Sequence, residues 1–140
     1  MSNATGIREV IALFNGAKFA EAGKLCDELC RGSLVDDAQA WFTLSTIHLR
    51  LGKYAEAERA GSTALALSPG NAAIYVNLGI ALSFQDRNED AIQLFEKALA
   101  LDPGATPAYF QLNRIYNHTD RLTASVDILE RRTERHAGQP

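Results

Sequence analysis

Apolar side chains along this chain recur at the intervals of a helix, and the helices recur at an interval of their own. Trp41, Leu44, Ser45 and His48 are spaced i, i+3, i+4 and i+7, which puts them on one helical face. Tyr75, Leu78, Gly79 and Leu82 repeat that spacing, and Tyr109, Leu112, Asn113 and Tyr116 repeat it again. A second helix is expected after each of the first two stretches. It is carried by Tyr54, Ala57, Gly61, Ala64 and Leu65, then by Ala91, Leu94, Phe95, Ala98 and Leu99. Strict apolar–polar alternation is nowhere sustained, so strands are not expected.

The step between equivalent positions is 34 residues. It separates Pro69 from Pro103, Trp41 from Tyr75, Tyr75 from Tyr109, Leu44 from Leu78, and Ala64 from Ala98. Turn chemistry falls where the pattern needs it. Gly52-Lys53 and the polar run Gln85 to Asn88 divide the two helices of a unit, the latter with residues able to cap. Pro69-Gly70 and Pro103-Gly104 stop the second helices, and Thr106-Pro107 reads as an N-cap followed by proline at the first helical position. Ala57, Gly61, Ala64, Gly79, Ala91 and Ala98 are small enough to let helix axes approach. A helix pair of this size cannot bury its apolar face alone, so the pairs are expected to stack into a solenoid.

These residues resemble the tetratricopeptide repeat, whose pattern is an aromatic, then Leu-Gly, a Tyr-like position, later Ala, a Phe-like position, Ala and a closing Pro. Tyr75, Leu78, Gly79, Leu82, Ala91, Phe95, Ala98 and Pro103 match it most fully, and Trp41, Leu44, Tyr54, Ala57, Ala64 and Pro69 match it well. Ser45, His48 and Gly61 depart from it. One domain over residues 1–140 is expected, with units near 5–36, 38–71, 72–105 and 106–137. The first unit diverges: Phe19 and Ala22 precede Tyr54 and Ala57 by 35 residues, which a one-residue insertion near Gly16-Ala17 explains. The last drifts polar, with Ser125, Arg132 and Arg135 at columns held earlier by alanine and leucine, as a water-facing capping helix requires. The resemblance implies an all-α, right-handed α-solenoid of about four antiparallel helix pairs.

In that family the first helices line the concave surface that holds peptides. The resemblance therefore implies a groove built from Phe42, Thr43, Thr46 and Leu49, then Val76, Asn77 and Ile80, then Phe110, Gln111 and Arg114. Phe42, Val76, Ile80 and Phe110 read either as an exposed apolar strip or as packing between units. Asn77 and Gln111 each carry a donor and an acceptor suited to an extended backbone. Some members bind peptides through asparagines in this column, notably the repeat domain of protein O-GlcNAc transferases. Chaperone-binding members grip a terminal carboxylate with lysine, arginine and asparagine. The matching places here hold Phe42, Thr46, Asn77, Pro107 and Gln111, so the cations are missing and that clamp is not expected. A ligand with apolar side chains and modest charge fits better, with Arg50 and Arg114 within reach of an isolated acidic group.

Composition narrows the function further. With 22% charged residues and a net charge of −3, the chain lacks the basic footprint of a nucleic-acid binder. Glu130 and Glu134 interrupt the one basic run, Arg131, Arg132 and Arg135, which reads as a solvated helix face. No apolar stretch reaches the roughly 18 to 20 residues of a membrane span, and Met1 to Glu9 carries no apolar secretory core. A cytoplasmic setting is therefore expected. Cys26 and Cys30 are read as small core residues, because a zinc site needs two more ligands and His48, His118 and His136 lie far apart. His48 is read as a packed histidine with one nitrogen satisfied. Asp86, Glu89 and Asp90 sit at a helix start, where the macrodipole favours them. No cofactor is expected, and no catalysis. The leading expectation is a protein-interaction scaffold that binds a peptide or partner segment. Two others stand beside it. Tyr75 to Gln111 is similar to repeats found beside bacterial glycosyltransferase and sulfotransferase domains, so the chain could be the substrate-recruiting part of a larger enzyme. Self-association of the repeats is the third.

Overall fold

A computed structural model of the protein describes residues 3–118, and these form seven α-helices with no strand among them. They are α1 (Asn3–Asn15), α2 (Phe19–Arg31), α3 (Ala38–Arg50), α4 (Tyr54–Leu67), α5 (Ala72–Ser83), α6 (Asn88–Leu101) and α7 (Thr106–His118). The capping helix expected near the end, with Ser125, Arg132 and the basic run, would be the eighth and lies outside the described residues.

The turns inside the pairs share one conformation. Gly52 adopts φ 73°, Asp86 stands 34 residues later at φ 60°, and Ala17 stands 35 residues earlier at φ 59°. This left-handed region costs glycine little and an L residue more. The shared turn also corrects the sequence alignment. Asn3 precedes Ala38, Ala17 precedes Gly52 and Phe19 precedes Tyr54, all by 35 residues. The extra residue therefore lies after Phe19. The α2–α3 connection, 32–37, is longer than 68–71 and 102–105, which join the later pairs.

Capping differs in detail from the expectation. Asp37 and Asn71, 34 residues apart, accept the N–H groups of Ala40 and Ala73 at the starts of α3 and α5. Thr106 is not a side-chain cap: α7 begins at Thr106 itself, and its hydroxyl donates to the Gly104 carbonyl at 3.4 Å. Nor does a side chain cap α6, whose N-cap is Arg87. The aromatic that opens each middle unit hooks back onto the preceding turn. Trp41 Nε1 donates to Val35 O at 2.8 Å, and Tyr75 Oη donates to Pro69 O at 2.9 Å, each reaching six residues upstream. The column thus uses aromatics with a polar handle.

Two apolar clusters carry the stack. Val10, Ala22, Cys26, Cys30, Leu44 and Ile47 lie in the first; Tyr75, Ala91, Phe95, Ala98, Tyr109 and Leu112 lie in the second. Phe95 is fully buried, and it fits because Gly79 has no side chain: a Cβ there would stand 2.6 Å from Phe95 Cε1. Ser45, in the same column as Gly79, is buried with its hydroxyl donating to Phe42 O at 2.8 Å. His48 takes the place of Leu82 and Tyr116 but is only half-buried. Of its two ring nitrogens, Nδ1 is buried with no hydrogen-bond partner among the described residues. The neighbouring carboxylates Asp27 and Glu56 are paired with Arg31 and Arg59 instead.

Helices pack against their partners within a pair and against the next pair, and the first helices α3, α5 and α7 also touch in succession. The second helices α2, α4 and α6 are splayed, with crevices between them. Close first helices and spread second helices bend the stack, so α3, α5 and α7 line its concave face.

Gly79→Ala is expected to destabilise the fold by about 1–3 kcal/mol through overpacking against Phe95. Gly61→Ala meets Leu78 Cδ1 at an ordinary 3.5 Å and is expected to stabilise α4 by about 0.5–1 kcal/mol. Urea unfolding of the two variants checks the opposite signs. Ala17→Gly is expected to add about 1 kcal/mol by relieving the left-handed residue, read in the same way.

Candidate functional site

The ten residues assigned to the groove fall on three neighbouring helices: Phe42, Thr43, Thr46 and Leu49 on α3, Val76, Asn77 and Ile80 on α5, and Phe110, Gln111 and Arg114 on α7. Their environments differ. Val76 is buried, Phe42, Leu49 and Ile80 are half-buried, and Phe110 is 65% exposed. The apolar residues therefore do not make one continuous strip; packing between units absorbs Val76 and leaves the others open in part.

Two apolar pockets flank a polar ridge. One, of about 150 Å³, is lined by Ile11, Phe14, Phe42, Thr43 and Thr46. The other, of about 430 Å³, lies between α5 and the start of α7, with Val76, Asn77 and Ile80 on one side and Ala105 and Pro107 on the other. Asn77 forms the ridge between them. Its Nδ2 donates to Thr46 Oγ1 at 2.8 Å and to Ser45 Oγ at 3.2 Å. Both hydroxyls are themselves held, each donating to Phe42 O. Thr43 is turned onto its own helix, donating to Gln39 O at 2.8 Å.

The amides are thus partly committed. Asn77 uses its N–H groups on α3, and Gln111 uses Oε1 to accept from Arg114 Nε at 3.0 Å. Among the described residues Asn77 Oδ1 and Gln111 Nε2 have no hydrogen-bond partner, and neither is a buried unpartnered atom. Arg114 is fixed rather than loose. Besides Gln111, it donates to Ser83 Oγ at 2.9 Å and lies 4.9 Å from the centre of the Phe84 ring. Phe84 in turn stacks on Tyr54 at 4.7 Å. Sequence reasoning missed Ile11 and Phe14, which complete the first pocket. The signal was present: with the first pair set back 35 residues, they fall in the columns of Thr46 and Leu49. It also missed Phe84, whose place at the end of α5 belongs to no apolar column.

Cys26 and Cys30 are both buried, and Cys26 Sγ lies 3.6 Å from Ala40 O. The neighbouring Cys26 thiol, then burial, pushes the Cys30 pKa up, so that thiol stays protonated at neutral pH. Among the described residues no three His, Cys, Asp or Glu side chains converge on a metal position. None of the described helices is long and apolar enough to cross a membrane.

Residues 36–104 match one sequence profile of the tetratricopeptide repeat, and residues 85–140 match another. No curated protein matches the chain. Among solved structures, the chain is similar to MamA (residue 41 to the end) from Desulfovibrio magneticus RS-1, with TM-score 0.85 and 21% identity over 94% of this chain and 74% of that one. It is similar to the second tetratricopeptide domain of human RPAP3 in complex with the HSP70 peptide SGPTIEEVD, with TM-score 0.75 and 24% identity over 79% and 91% of the two chains. It also resembles the first such domain of Spaghetti (RPAP3) bound to the HSP90 peptide SRMEEVD, with TM-score 0.78 and 21% identity over 84% and 92%. At these identities the likeness is one of fold.

Asn77→Ala is expected to cost about 1 kcal/mol, the net worth of its link between α3 and α5. Thr46→Val removes the same link from the other side, so the double variant should cost less than the sum of the two. A denaturant double-mutant cycle measures this, and strict additivity would show that the link carries no energy.

Proposed function

The chain belongs to the tetratricopeptide-repeat family, and from that membership we propose that it is a protein-interaction scaffold whose concave groove holds an extended segment of a partner protein. One observation carries the reading. On the face formed by α3, α5 and α7, half-buried Phe42 and Ile80 and exposed Phe110 alternate with an acceptor, Asn77 Oδ1, and a donor, Gln111 Nε2, that no described residue pairs. Apolar pockets give a peptide its anchoring area, and backbone-facing amide groups fix its path. The two RPAP3 domains bind chaperone peptides, which supports a peptide as the class of ligand. The segment bound here differs from theirs in our reading, because the clamp positions hold Phe42, Thr46, Asn77, Pro107 and Gln111. We expect two apolar side chains separated by a short polar stretch that crosses the Asn77 ridge. Such a role is binding, not catalysis. A cytoplasmic setting fits the two buried free thiols.

The test is a selection from a random peptide library on the purified chain, followed by affinity measurements. Phe42→Ala, Ile80→Ala and Phe110→Ala combined should weaken a selected peptide by more than about tenfold while the helical circular dichroism is kept. Equal binding by a folded triple variant, or amide shifts confined to α2, α4 and α6, would overturn the groove reading.

A further inference from the structure

The convex face carries two crevices of common origin and different chemistry. Between α4 and α6 the floor is Tyr75, Leu78 and Leu82, and Arg87 crosses to Glu58 at 3.0 Å, tying the walls together. Between α2 and α4, His48 stands in the column of Leu82, and adjoining cavities of about 280 and 260 Å³ share Asp27, Arg31, His48 and Glu56. Among the described residues no ion pair ties these walls across. Arg31 pairs with Asp27 on its own helix at 2.8 Å, and Arg59 pairs with Glu56 on its own helix at 3.6 Å.

The charge balance of this crevice runs against that of the chain. Lys24, Arg31, Lys53 and Arg59 line it, opposed only by Asp27 and Glu56, in a protein whose net charge is −3. After the two intrahelical pairs form, the charges of Lys24 and Lys53 are left over, one on each wall. Lys53 is also the N-cap of α4 and makes no side-chain hydrogen bond to the helix start, so its ammonium is not committed there. At the floor, His48 Nδ1 is buried without a partner among the described residues.

We propose that the α2–α4 crevice is a binding site for a phosphoryl group, held between Lys24 and Lys53 over the His48 ring. Cations on two opposed walls and a ring beneath call for oxygens pointing in several directions. A phosphoryl group brings three oxygens and up to two negative charges to the two cations, where a carboxylate brings two oxygens and one. The group can be free phosphate or a phosphomonoester on a partner. The site lies on the face opposite the groove and stands independently of the peptide reading.

Proton linkage gives the site a signature. Burial lowers the His48 pKa, with Glu56 and Asp27 acting against it and Lys53 and Arg59 with it, so the ring is neutral near pH 7 without ligand. A bound dianion favours the imidazolium form. Binding must therefore raise the His48 pKa, and by reciprocity protonation must strengthen binding.

The His48 ring resonance, assigned by its loss in His48→Leu, is followed by NMR through a pH titration. The titration is run in sodium chloride, then at equal ionic strength in inorganic phosphate, in sulfate and in O-phosphoserine. Phosphate is expected to raise the midpoint by about one pH unit, and sulfate, which stays dianionic, should do the same. Lys24→Gln with Lys53→Gln, both at exposed positions, should abolish most of the shift. A shift with O-phosphoserine as large as with phosphate supports a monoester ligand, and a shift with the inorganic ions alone supports the free anion. Identical midpoints in chloride and in all three oxyanions, or an undiminished shift in the double lysine variant, would overturn the site.

Discussion

No helix pair in this protein can hide its apolar face without a neighbour, and that constraint shapes everything else. Phe95 shows it most directly. The ring belongs to α6, fills the space left by Gly79 on α5, and joins the cluster that includes Tyr109 and Leu112 of α7. Three helices from two successive units thus share one buried side chain. Units so joined cannot slide or rotate independently, and the angle at which they meet is repeated along the chain. First helices that touch and second helices that splay are two results of that one angle. The groove and the convex crevices are therefore products of packing, and their chemistry is what individual residues add to a shape already set.

Polar contacts between first helices fix the register of that packing. Asn77 reaches Thr46, and Arg114 reaches Ser83, both over a separation of 31 residues. The repeat step is 34, so each contact links a position to one almost a turn further along the preceding first helix. Neighbouring first helices are offset in this way, which gives the stack its twist. Asn77 and Arg114 stand at different columns and use different chemistry, yet perform the same registration. Gln111 and Phe84 support the second contact, one accepting from the guanidinium and the other lying against it.

Much of the fold was legible in the sequence because small and aromatic residues recur at one step. Only stacking gives Gly79, Ala91 and Ala98 a reason to remain small at fixed distances from Tyr75. The pairing of helices, their turns and the membership of α3, α5 and α7 in one face followed from that. The groove was less legible, for a physical reason. A helical wheel shows which residues share a face but not how far the next unit covers them, so Val76 and Phe110 share a column and differ completely in exposure. Side-chain hydrogen bonds were hidden for the same reason: Asn77 could be seen as an amide on the inner face, but not as one committed to α3. The misplaced insertion had another cause. Ala17 carries no sign of the left-handed conformation that glycine advertises at the equivalent Gly52, so the shared turn could not guide the alignment.

The hooks from Trp41 to Val35 and from Tyr75 to Pro69 reach past these static matters. A stacked array of this kind behaves as a coiled spring whose rods are stiff and whose hinges bend. Each hook ties a turn between units to the helix that follows it, so an indole and a phenol add to the resistance of that joint to bending. Neither ring is among the ten groove residues, so the joints can be loosened without changing those residues.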